Sequence, residues 1–300
     1  MRSRRVYEFV NYHINGDGEC NGIVLKKWAD IHNLDSDSRM DICFFFAVTY
    51  CVESAIVMHY SKIGIFEKPE EWAQNNKNKL IFQSDRKYIK MRDSFEKCLK
   101  FFCENVEEIR KIGNSRKLDL RERIPEVEKW VLFGRFSAYL FLETVAHVMG
   151  CEIINAEMEW ENGDTATSGL LNVFGYDKSA NYFDKTGKLP NGINQNWMET
   201  KAQVLLTAIE KTGGNPNITM VETSLCAYRK FFKGSRYNGY YLDRMLEEIK
   251  KMSKDFPKIS EELVQIRMKT FDSKYLGEVG GWNGVRKECK KLYKEKGIIM

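Results

Sequence analysis

The stretch "ICFFFAVTYCVESAIVM", Ile42 to Met58, decides what kind of protein this is. Its 17 residues are apolar enough to suggest a membrane span, which needs about 18 to 20 such residues in a row. Glu53 interrupts it, and a charged side chain near the middle of a span is costly. The stretch therefore reads as a helix buried inside a globular protein, and no membrane partner is expected.

The rest of the chain agrees with that reading. It has 300 residues, 43% hydrophobic and 30% charged, with a mean hydropathy of -0.47, which suits one large or two small globular domains. The start, "MRSRRVYEFV", lacks the apolar stretch of a secretory signal, so a cytoplasmic location is expected. Only five prolines occur, and most apolar residues recur at three and four, so the expected fold is mainly α. The pattern predicts helices at 20–31, 38–61, 68–75, 85–108, 125–149, 196–212, 219–232, 239–253, 258–269 and 283–296. Pro125 and Glu126 suit a first helical turn. Residues 150–195, rich in Gly, Asn and Asp, read as irregular. The expected organisation is a mainly helical domain over 1–253, which could form two lobes, and a basic helical tail over 254–300.

Eight cysteines form no CxxC pair, and several sit in apolar helical patterns, so no disulfide is expected. Four histidines, none at HExxH spacing, point to no metal site. The net charge is +5, and Lys and Arg outnumber Asp and Glu 18 to 11 over residues 221–300. A basic C-terminal end suits contact with a phosphate backbone, and equally a solvated tail.

Four stretches carry residue types suited to chemistry. In Ile124–Gly150, the break at Phe133, Gly134, Arg135 and Phe136 predicts helix, tight turn, helix, with Arg135 and backbone N–H groups able to face a phosphate. A kinked, packed helix is the alternative. The second helix then shows Tyr139 and Glu143 on one face, and a carboxylate in so apolar a helix must be paired or functional. In Met158–Gly175, Glu159 and Asp164 lie in an acidic loop, either solvated or positioned for function, and "TSGLLNVFG" could open a helix whose N-terminus binds an anion. In Ile81–Cys98, the cations Arg86, Lys87 and Lys90 crowd the start of a helix, where the macrodipole disfavours them. An anion would relieve that, as would balance by nearby acids.

The fourth stretch, "RKFFKGSRYNGYYLDR" at 229–244, interleaves five cations with five aromatic rings. Lys230, Lys233, Arg236 and Arg244 alternate with Tyr237, Tyr240 and Tyr241 around a glycine turn. Rings beside cations suit stacking on a base while holding its phosphates, unless the tyrosines pack beneath the turn. The helix before the turn carries Glu222, with Cys226 one turn later.

The ordered series "FFFAVTYCVESAI" (44–56), "FQSDRKYIK" (82–90), "LFGRFSAYLFLE" (132–143), "GDTATSGLLNVFG" (163–175), "VETSLCAYRKFFKG" (221–234) and "RYNGYYLDRMLEEI" (236–249) resembles the amino acid:DNA transferases, or α-glutamyl/putrescinyl thymine pyrophosphorylases. These are phage-associated enzymes of thymine hypermodification, which implies an infected bacterial host. The resemblance spans about residues 40 to 252, with "ETSLC" and "RYNGYYLDR" its most specific parts. It implies a helical fold related to the helix-hairpin-helix DNA glycosylases, although "LFGRFSAY" departs from the usual hairpin in having one glycine.

The implied substrate is DNA whose 5-hydroxymethyluracil is activated as a pyrophosphate ester; the implied reaction displaces pyrophosphate with an amine from an amino acid or polyamine. On that chemistry Arg86, Lys87, Lys90, Arg135 and Arg236 are candidates to hold pyrophosphate. Tyr139, Tyr237, Tyr240, Tyr241, Lys230, Lys233 and Arg244 are candidates to stack on the base or hold DNA. Glu143, Glu159, Asp164 and Glu222 are candidates for the base that takes the amine's proton. Cys226 adding to the pyrimidine ring is a covalent alternative. No cofactor is required, and a magnesium ion bridging a carboxylate and pyrophosphate is compatible with the sequence. A non-catalytic helical DNA-binding module and a DNA glycosylase are the rival readings.

Overall fold

The computed structural model describes residue 13 and residues 18–83, 89–156, 164–176, 189–211, 217–232 and 239–271. The expected helix at 283–296 lies outside the described residues. The others form a mainly helical fold. In chain order the elements are α1 (Cys20–Ile31), α2 (Ser36–Thr49), α3 (Val52–Tyr60), α4 (Lys62–Glu67), α5 (Pro69–Asn76), α6 (Ile89–Asp93) and α7 (Phe95–Lys111). Then come β1 (Lys117–Asp119), α8 (Leu120–Val127), α9 (Arg135–Met149), β2 (Glu152–Ile154), α10 (Asp164–Val173), α11 (Gln195–Lys211), α12 (Ile218–Phe232), α13 (Tyr240–Met252) and α14 (Pro257–Thr270).

The apolar run is two helices, not the single helix expected over 38–61. α2 starts at Asp35, whose side chain accepts from Ser38 N, and ends where Tyr50 turns left-handed at φ 53°. No glycine or proline marks that break. Instead Thr49 Oγ1 donates back to Phe45 O at 2.9 Å, and the Thr49 carbonyl, lost to the helix, accepts Gln83 N at 3.1 Å. A contact with a distant segment ends the helix. Among the described residues, no helix is long and apolar enough to cross a membrane.

The chain divides into two units, residues 21–155 with 244–270, and residues 1–20 with 156–243 and 271–300. In the first, α2 is the central helix: every residue from Met40 to Thr49 is buried, as expected of a helix covered all round. It packs against α3, α7 and α9. Phe44 and Phe45 both meet Phe102, their ring centres 5.0 and 4.8 Å away. α7 is amphipathic, burying Phe95, Cys98, Leu99, Phe102 and Ile109. Two short strands pair in parallel, Lys117 with Glu152 through Asp119 with Ile154, an element the periodicity did not announce.

Two expectations are corrected in this unit. α8 begins at Leu120, because Asp119 caps it by accepting from Arg121 N and Glu122 N; Pro125 thus lies inside the helix, not in its first turn. Residues 257–270 are also no tail. α14 packs on α3 and buries Ser260, Leu263, Ile266 and Arg267.

The second unit has its own core, which includes Leu170, Leu171, Leu205, Ile209, Val221 and Leu225. Residues 164–173, expected to be irregular, are helical there. Gly169 explains how α10 meets α12: a Cβ at that position would stand 2.2 Å from Leu225 O, so the two backbones touch where no side chain fits. The seven described cysteines are free thiols.

Candidate functional site

In the second unit, α12 starts at Asn217, whose side chain accepts from Met220 N at 3.0 Å. That start places Glu222 and Cys226 one turn apart, and the Cys226 thiol donates to Glu222 Oε1 at 3.1 Å. Both side chains are half-buried, and Cys226 packs against the core. Lys230, also half-buried, follows one turn later. The chain re-enters helix at Gly239, where φ is +85°, followed directly by Tyr240 and Tyr241. Their rings meet edge-on with centres 5.3 Å apart. Tyr241 also stands edge-on to the buried His13 ring at 5.8 Å and packs against the core, so its ring is engaged in packing as well as adjoining the turn.

In the first unit, α9 begins at Arg135 after the extended Gly134, as expected for helix, turn, helix. Leu132, not a glycine, takes the left-handed conformation in that turn, at φ 64°. Arg135 Nη1 lies 4.0 Å from Glu128 Oε2, a loose and partly exposed pairing. Tyr139 and Glu143 are half-buried on α9, one turn apart. Lys90 is exposed on the short helix α6. Arg244 is occupied internally: its Nε donates to Glu248 Oε1 at 3.0 Å.

Arg86, Lys87, Glu159, Lys233, Arg236 and Tyr237 lie outside the described residues, and Asp164 is described as the first residue of α10. The described candidates are divided between the units: Lys90, Arg135, Tyr139, Glu143 and Arg244 in the first, Asp164, Glu222, Lys230, Tyr240 and Tyr241 in the second. An open surface depression of about 710 Å³ lies along α11, lined by Glu199, Thr200, Gln203, Val204, Thr207 and Ala208. No candidate residue lines it.

Two buried polar groupings went unnoticed in the sequence. Asp41, fully buried on α2, accepts from Arg110 Nε at 2.9 Å and from Nη2 at 2.8 Å. Burial pushes its carboxyl above the usual range, and the guanidinium only partly offsets this. Glu53, on α3, is 1% exposed. Burial raises its carboxyl to about 7, with the Glu248 charge adding to the rise and the Ser260 hydrogen bond opposing it. The signal for Glu53 was in plain view as the one charge inside the apolar run. Among the described residues, no three or more His, Cys, Asp or Glu side chains are grouped to hold a metal ion.

No protein-family model, no curated protein and no solved structure matches the chain.

Proposed function

We propose that the chain is a DNA-acting transferase of the amino acid:DNA transferase kind, with a helical fold related to the helix-hairpin-helix DNA glycosylases. It replaces pyrophosphate on the 5-methylene of a modified uracil in DNA with an amine from an amino acid or polyamine. The observation that carries this reading is the contact between the Cys226 thiol and the Glu222 carboxylate at 3.1 Å. It lies on the helix that precedes, in sequence, the cations and tyrosines of residues 233–241. A module that only grips phosphate gains nothing from a carboxylate there, since a negative charge weakens anion binding. An enzyme that attacks with an amine needs one.

The neutral amine attacks the methylene carbon as the carbon–oxygen bond to pyrophosphate breaks, and the pyrophosphate leaves with the bonding electrons. The proton the amine loses passes to a carboxylate, for which Glu222 is the first choice and Glu143, Glu159 and Asp164 the others. Charge gathering on the departing pyrophosphate calls for fixed cations, a role open to Arg86, Lys87, Lys90, Arg135 and Arg236. Once turned out of the helix, the base needs a ring to stack on, and Tyr240 stands at the start of α13. Magnesium on the pyrophosphate would fit the same chemistry.

The test is pyrophosphate release from DNA carrying 5-pyrophosphoryloxymethyluracil, with and without amino acids and polyamines, followed by mass analysis of the nucleosides. Amine-dependent release with a heavier nucleoside is expected. DNA bound without release would make the chain a binding module; a freed base would make it a glycosylase. Glu222→Gln is expected to lower transfer by about 10²- to 10⁴-fold with DNA binding retained.

A further inference from the structure

Four segments far apart in sequence meet at Glu53 and its neighbours in the first unit. Glu53 comes from α3, Glu248 and Arg244 from α13, Ser260 from α14, and Gln83 from the extended segment beside α3. Ser260 Oγ donates to Glu53 Oε1. Gln83 Nε2 donates to Glu248 Oε1 at 2.8 Å, and Arg244 Nε reaches the same oxygen at 3.0 Å. Glu248 is therefore held as an anion. Glu53 Oε2 and Gln83 Oε1, both buried, have no hydrogen-bond partner among the described residues.

Among the described residues, a second anion in this interior has no cation of its own. Among the described residues, Glu53 meets a hydroxyl from α14 and the like charge of Glu248 from α13. The cation nearest in the network, Arg244, is engaged with Glu248. The remaining charges of α14 are directed elsewhere or exposed: Glu262 pairs with His32 at 2.5 Å, while Lys258 and Glu261 are exposed. Arg267 is buried about two turns beyond Ser260 and has its own partners. Cys51, beside α3, is a neutral thiol kept so by burial.

We infer that Glu53 is a proton-dependent latch of the first unit: protonated, it lets α3 close on α13, where Ser54 Oγ meets Met252 Sδ at 3.4 Å, and its ionisation sets a second anion beside Glu248 and loosens α13 from α3. This inference is independent of the proposed transferase activity. The sign follows from where the proton is held. In the folded chain Glu53 keeps its proton up to about pH 7, whereas the unfolded chain releases it near the ordinary 4.5. The folded form thus binds more protons between those values, so the stability from this group falls as pH rises through that interval and levels off above 7.

The experiment uses the full chain and its Glu53→Gln variant, following thermal unfolding from pH 5 to 8.5 and amide hydrogen exchange in residues 244–252 of α13 at pH 6 and pH 8, corrected for the intrinsic exchange rate. For the native chain, the opening equilibrium of this part of α13 is expected to rise about tenfold between pH 6 and pH 8. In Glu53→Gln the rise disappears and the variant is the more stable at pH 8. Parallel pH curves for the two proteins would overturn the inference. Should Glu53→Gln not fold, carboxyl carbon NMR of the native chain decides the matter: a glutamate titrating near pH 7 supports the latch, and none titrating between pH 6 and 8 overturns it.

Discussion

The two units bind their helices together by opposite means. In the first, the central helix and its neighbours enclose charge: Asp41 is gripped by Arg110, and Glu53 stands near the Glu248 anion. In the second, α10 and α12 approach until Gly169 touches the Leu225 carbonyl, and the contact works because there is no side chain. The Asp41–Arg110 contact relies on paired charge; the contact at Gly169 relies on close approach without a side chain. The difference predicts which kind of substitution each will fail on.

The largest effect is expected from breaking a buried pair. Asp41→Ala leaves the inner edge of Arg110 without its carboxylate and should cost about 3–5 kcal/mol by denaturant titration. A loss under about 1 kcal/mol would mean that Asp37 and Glu107, which also approach Arg110, carry its charge alone. Gly169→Ala should come next. Its Cβ would meet backbone, which cannot swing aside as a side chain can, so about 3 kcal/mol is expected. Retention of native stability would show that α10 and α12 slide apart at little cost, removing the contrast between the units.

Smaller effects sharpen the comparison. Leu132 is a partly exposed leucine held left-handed in the turn before α9. Leu132→Gly relieves that strain and should gain about 0.5 kcal/mol, after the apolar surface and chain entropy it gives up. A loss would mean that the leucine's packing outweighs its backbone. Smaller still is Lys111→Ala on the exposed 2.6 Å pair with Glu108, expected to leave the denaturant midpoint unchanged within error.

Much of the helical layout was readable because amphipathic helices write themselves into the spacing of apolar residues. α1 falls on its expected range, and α5, α11, α12, α13 and α14 agree to within a residue. The turn at Gly134 and the one-turn spacing of Glu222 and Cys226 were legible for the same reason: they depend on neighbours in sequence. Misreadings came where a distant group intervened. The "GDTATSGLLNVFG" segment read as irregular with a helix able to open at "TSGLLNVFG"; the helix starts earlier, at Asp164, and Thr167 and Ser168 are fully buried against partners that local spacing does not reveal.

What the sequence determined by itself was the helical class, most helix positions and the clustering of cations with aromatic rings, because these follow from local periodicity and composition. The tertiary structure alone decided that α2 stops at Tyr50, where Gln83 takes a carbonyl the helix gives up. It alone made residues 257–270 part of a core and turned Glu53 from an interruption in an apolar run into a group that binds its proton near neutral pH. The physical reason is common to all three. A carbonyl's alternative partner, a helix's covering face and a carboxyl's proton affinity depend on which remote groups replace water around them, and folding chooses those groups.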